Sequence, residues 1–129
     1  MIYQEALFKR WQGKTIEDLC GVMSDSAKQF AKNIMLFLKR TLKSNDIELV
    51  KTSIGHYDFS GFLKNNKTNK YVYFSRDIER YNQPINLLDK SCFGGFLVRE
   101  AKNETDYRGG NNNFCNFFQI ENKIIELSQ

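Results

Sequence analysis

The hydrophobic period of this chain changes near Asn45, and that change does most to limit what the chain can fold into. In "AKQFAKNIMLFLKRTLK" (27–43) the apolar residues recur at helical spacing. At about 100° per residue, Phe30, Ala31, Ile34, Phe37, Leu38, Thr41 and Leu42 share one broad face. Lys28, Lys32, Lys39 and Lys43 share the opposite face, with Leu36 beside them. From Asp46 onward the period is two. "DIELVKTSI" (46–54) is β-branched and roughly alternating, and "YDFSGFLK" (57–64) and "YVYFSR" (71–76) follow in the same style. The polar loop "NNKTNK" (65–70) joins the last two as a hairpin, and "GFLVREAK" (95–102) reads as a fourth strand.

Around this centre lie further helical segments. "IYQEALFKRW" (2–11) is amphipathic and stops near Gly13. "TIED" offers Thr15 as an N-cap with an acid three residues on, and "SDSAKQ" offers Ser24 or Ser26 as the cap of the main helix. Residues 77–92 contain Pro84 and no period, which predicts a long loop. In "FCNFFQIENKIIELSQ" (114–129) the apolar spacing predicts a C-terminal helix, with a strand over 114–120 as the alternative. The expected fold is α+β in one domain over 1–129. It has N-terminal helices, a three- to four-stranded mostly antiparallel sheet and a C-terminal helix.

Composition narrows the class. Eleven Phe and six Tyr against one Pro and eight Gly exclude a disordered chain. A net charge of +4 permits an acidic partner without requiring one. Cys20, Cys92 and Cys115 are odd in number and far apart, so reduced thiols are expected rather than a disulfide framework. With His56 they lack the close Cys-x₂-Cys spacing of structural zinc sites, and no metal or cofactor is expected. No signal-peptide pattern and no bilayer-length apolar run occurs, and the expected location is the cytoplasm.

Several groupings invite a chemical reading. Glu100 and Lys102 spell Glu-x-Lys on the fourth strand, similar to the Asp…Glu-x-Lys signature of metal-dependent nucleases. In such a site the carboxylates hold Mg²⁺ and the Lys orients water, with Asp89, Asp77 or Asp58 supplying the missing acid. A second acid-x-Lys triplet at Glu121–Lys123 marks the pattern as one that arises by chance. His56, Asp58 and Ser60 share one face of one strand, but neighbours two apart sit roughly 6.6–7 Å apart, too far for a triad. In "NETDYRGGNNNF" (103–114) Gly109 and Gly110 allow backbone N–H groups to converge on an anion. This works best if Asn113 caps a following helix, with Arg99, Lys102 and Arg108 nearby. The basic helix face Lys28, Lys32, Lys39 and Lys43 can track a nucleic-acid backbone, and "YVYF" and "DIERY" can supply stacking Tyr rings.

The phrases "GHYDFSGF", "YVYFSRDIER" and "VREAKNETDYRGGNNNF" together resemble small proteins of phages and mobile elements of low-GC Gram-positive bacteria. The match spans residues 55–113. It rests on Asp58, Ser60, Gly61, Tyr73, Ser75, Asp77, Arg80, Arg99, Lys102, Asp106, Tyr107, Gly109, Gly110 and Asn111. The resemblance implies an accessory protein without cofactor or catalytic residues. Inhibitors of host defence, anti-CRISPR proteins among them, are one such class. The expected partner is then a host protein or nucleoprotein complex. The expected contact surface is Arg76, Asp77, Arg80 and Tyr81 together with Arg99, Lys102, Asp106, Tyr107, Arg108 and Asn111. A Mg²⁺-dependent nuclease and a direct nucleic-acid or nucleotide binder are the alternatives.

Overall fold

The computed structural model describes residues 2–15, 25–55, 57–78 and 83–129, and in it both N-terminal helical stretches form helices. Helix α1 spans Ile2–Trp11 and α2 spans Asp25–Thr41. The apolar stripe of α2 is the spine of the core, with Phe30, Ala31, Ile34, Phe37 and Leu38 all fully buried. Lys28, Lys32, Lys39 and Lys43 are exposed on its other side. Leu7 and Trp11 bury the inner side of α1, and the Trp11 indole donates to Asn33 Oδ1 at 3.0 Å, fixing α1 on α2. Thr15 does not sit at a described helix start. It makes a β-bridge with Pro84, which ties the chain after α1 to the 83–87 loop. Residues 16–24, including the Ser24 cap and Cys20, lie outside the described residues.

A 3₁₀ turn over Lys43–Asn45 ends with Asp46 at φ 60° and turns the chain into the sheet. The strands are β1 (Ile47–Ile54), β2 (Asp58–Asn65), β3 (Tyr71–Asp77), β4 (Phe96–Ala101) and β5 (Asn113–Cys115). Each pairs antiparallel with the next, so the five-stranded sheet is a meander in the order β1-β2-β3-β4-β5. The sheet thus exceeds the expected three to four strands by one. β5 is three residues long, too short to show a period, and exists because it pairs with β4. Helix α3 (Ile120–Leu127) follows it, so both readings of the C-terminal segment hold in part.

The helices cover one face of this sheet. Phe59, Leu63, Val72, Phe74, Phe96 and Val98 project from the strands into one cluster with α2, α3 and Phe117. The rings of Phe30 and Phe59 meet edge-on at 5.8 Å, and those of Phe37 and Phe117 meet at 5.0 Å. Gly61 lies on this face, where an added Cβ would sit 2.7 Å from Phe74 Cε1 and 3.0 Å from the Lys51 carbonyl oxygen. Gly61→Ala is therefore expected to destabilise the fold by about 1–3 kcal/mol in urea denaturation. An unchanged midpoint would mean that the Phe74 ring yields without cost.

β1 carries an irregularity that matters for the other face. Leu49 pairs with Leu63 but Lys51 pairs with Phe62, which leaves Val50 as an extra residue in a β-bulge. Ile47 and Leu49 face the helices before the bulge, and Thr52 and Ile54 do so after it. Lys51 and Ser53 are thereby turned to the helix-free face.

Cys115 is buried and burial pushes its thiol up to about 11, whereas Cys92 is an exposed free thiol. Among the described residues, no helix is long and apolar enough to cross a membrane.

Candidate functional site: the helix-free face of the sheet

Strand register dictates what the uncovered face presents. Lys51, Phe62, Tyr73 and Arg99 form one row across β1 to β4. Glu48, Lys64, Tyr71 and Ala101 lie in the row on one side of it, and Ser53, Ser60, Ser75 and Leu97 in the row on the other. Beyond the serines, Asp58 stands directly opposite Asp77, a like-charge pair that the sheet tolerates at its exposed end. The face therefore runs from an acidic end, through hydroxyls, to an aromatic and basic end.

Arg99 organises the aromatic end. Its guanidinium lies 4.4 Å from the centre of the Tyr73 ring, and the residue is only 4% exposed. It donates from Nη2 to the Asp106 carbonyl at 2.9 Å and from Nη1 to the Gly109 carbonyl at 2.8 Å. One planar fork thus holds both sides of the 102–110 loop, which a point-charge Lys does not do. The Asp106 carboxylate gathers the loop from within. It accepts the backbone N–H groups of Lys102 at 2.9 Å, Gly109 at 2.8 Å and Arg108 at 3.2 Å. Gly110 has φ +77°, and a Cβ there would come within 2.6 Å of the Glu100 carbonyl oxygen, so the loop closes on β4 only with glycine at this position.

The closed loop seats Tyr107 on the sheet. Its ring meets Phe62 edge-on at 5.1 Å and Tyr73 at 5.9 Å, while Lys51 Nζ lies 5.4 Å from its centre. Phe62 is covered almost completely, yet Tyr107 itself stays 52% exposed. Lys102, Arg108 and Asn111 are exposed around it.

Hydrogen bonds from Lys102 and Arg108, with smaller help from Gly109 and Arg99, hold the Asp106 carboxyl below its ordinary value of 3.8. A lowered native pKa stabilises the fold above the unfolded value, and that contribution disappears as pH falls through the native one. The amide resonances of Lys102, Arg108 and Gly109 are therefore expected to titrate together with a midpoint under 3.8. A shared midpoint at or above that value would contradict the arrangement.

Several of the expected contact residues take other roles, mostly because burial removes them from the surface. Arg76 is 2% exposed and points to the helix side, 5.3 Å from the ring centres of Phe30 and Phe96. It donates to the Asp77 carbonyl at 3.1 Å and the Asn86 carbonyl at 3.3 Å. Arg76 and Arg99 thus hold the protein together and are not surface contacts. Asp77 is exposed, and Arg80, Tyr81 and His56 lie outside the described residues.

The anion-loop expectation is corrected. The N–H groups do converge, but on the Asp106 carboxylate, and Asn113 begins β5 instead of capping a helix. The nuclease set is not assembled either. Asp89 packs against Gly94 before β4 begins, whereas Glu100 is near the far end of that strand. At about 3.3 Å per residue the two are roughly 15 Å or more apart. Lys102 lies beyond the strand, and among the described residues no three His, Cys, Asp or Glu are grouped to share a metal. Asp89 instead accepts from Ser91: the Ser91 hydroxyl does most to lower its pKa, followed by the Ser91 N–H at 2.8 Å, with Arg76 in support.

Lys28, Lys32, Lys39 and Lys43 are exposed on the far side of the helix layer, away from this face. Lys51, Phe62 and Lys64 join this face without carrying a local motif. The one signal in the chain is the phase slip in "IELVKTSI", where Ile47 and Leu49 are followed by Thr52 and Ile54.

No family model, no curated protein and no solved structure matches the chain.

Proposed function

We propose that this chain is a non-enzymatic binding protein of a phage or mobile element. Its target is a host protein or nucleoprotein complex, with CRISPR–Cas effectors as the leading class, and its working surface is the helix-free sheet face with the 102–111 loop. One observation carries the surface: Arg99 and Asp106 lock that loop from beneath, so Tyr107, Lys102 and Arg108 are presented on a rigid support. A surface ordered in advance loses less freedom on binding, and half-exposed Tyr and Arg side chains are typical interface anchors. The residues behind the resemblance concentrate here as well. Asp58, Ser60, Tyr73, Ser75 and Asp77 occupy the face by register, with Arg99 and Tyr107 fixing its loop. The phage or mobile-element origin rests on that resemblance.

The test is affinity capture of the tagged full chain from a bacterial host that carries a CRISPR–Cas system, paired with an interference assay. A retained complex and reduced interference, both lost in Tyr107→Ala/Arg108→Ala, are expected. Capture that survives this double change would move the surface elsewhere, and no capture with full interference would end the proposal.

A further inference from the structure

We infer that the aromatic and basic half of the helix-free face holds a single strand of nucleic acid, the component of a nucleoprotein target that this chain would touch. This rests on the binding reading above and names its ligand. Three rings on this half each carry a cation: Lys51 on Tyr107 at 5.4 Å, Lys64 on Tyr71 at 5.8 Å and Arg99 on Tyr73 at 4.4 Å. Tyr107 is 52% exposed and Tyr71 is half-buried, so unpaired bases have ring surface to stack on.

Phosphates have partners beside those rings. Lys51, Lys102 and Arg108 are exposed, and Lys64 is half-buried in the row next to Lys51. The acids of this half offset them only in part. Asp106 is engaged by three backbone N–H groups, whereas exposed Glu48 stands opposite Lys64 and exposed Glu104 lies in the loop, so Lys51, Lys102 and Arg108 are the principal phosphate partners. The pair Asp58 and Asp77 is confined to the other end of the face, which an anionic strand avoids. Stacking on Tyr requires free base faces, which a duplex hides, so the chemistry selects single strands. The helix lysines, on the far side of α2, have no such rings in their stripe.

Fluorescence anisotropy with the full chain and labelled dT and rU 12-mers decides the matter. Both single strands are expected to bind in 50 mM salt and a duplex of equal length is not. With three or four phosphate contacts, affinity falls about 20- to 50-fold between 50 and 200 mM salt. Tyr107→Ala is expected to weaken binding roughly 10- to 100-fold, and Tyr107→Phe, which keeps the ring, to recover most of it. Lys51→Glu, a change at an exposed position, weakens it too, while Lys28, Lys32, Lys39 and Lys43 changed together to Ser leave it intact. No binding in 50 mM salt overturns the inference, as does binding lost with the helix lysines but kept in Lys51→Glu. If oligonucleotides fail while a captured host complex survives nuclease digestion, the partner is protein and only this inference falls. Oligonucleotide binding without any captured complex removes the host-target reading and supports this one.

Discussion

Arg99→Ala is expected to cost about 3–4 kcal/mol in chemical denaturation and to unseat the 102–110 loop. The loss has two sources. The Asp106 and Gly109 carbonyls lose their charged donor, and the Tyr73 ring loses the guanidinium 4.4 Å from its centre. Tyr107 then has no fixed seat, so trypsin is expected to cut after Arg108 much faster than in the unmodified protein. Arg99→Lys should recover less than half of the stability, because one ammonium cannot bridge both carbonyls in the way a planar fork does. A change below about 0.5 kcal/mol for Arg99→Ala, the range of ordinary surface substitutions, would show that the loop stands without the clamp.

Arg76→Ala should cost a similar or larger amount, about 3–5 kcal/mol. This cation is buried between Phe30 and Phe96, and its removal opens a cavity against both rings. It also strips the Asp77 and Asn86 carbonyls of a donor, which loosens the 83–95 loop where it meets β3. Arg76→Met separates the two losses. It refills most of the volume without restoring the hydrogen bonds, so it should recover roughly half of the loss. If Arg76→Ala melts within about 1 kcal/mol of the parent, the guanidinium is not holding these elements together.

These two arginines show where reading along the chain stopped being sufficient. Each is expected at the contact surface because polar, charged and Tyr residues concentrate around it and Arg is a typical interface anchor. Each is instead enclosed, one by the helix layer and one by the returning loop. Neither enclosure has a local signature. Arg76 is covered by Phe30 and Phe96, which are far from it in sequence, and Arg99 by a loop that closes only when Gly110 meets the backbone of Glu100. The same holds for Lys51. Strict alternation would have placed it with Ile47 and Leu49, but the Val50 bulge turns it to the opposite face.

Legible along the chain were the α2 stripe, the four longer strands, the β2–β3 hairpin, the C-terminal helix, and the shaping of the 103–113 segment by Gly and Asn. All of these rest on periods of 3.6 or 2 or on backbone preferences, which are local and survive without knowledge of neighbours. Long-range packing settled whether β5 forms and made the Asp106 carboxylate the anion that the 102–110 loop encloses. It also separated Asp89 from Glu100 and gathered Lys51, Phe62, Tyr73, Arg99 and Tyr107 on one face. Those outcomes depend on strand register and on which side of the sheet the helices cover. Both are set by burial between segments distant in the chain.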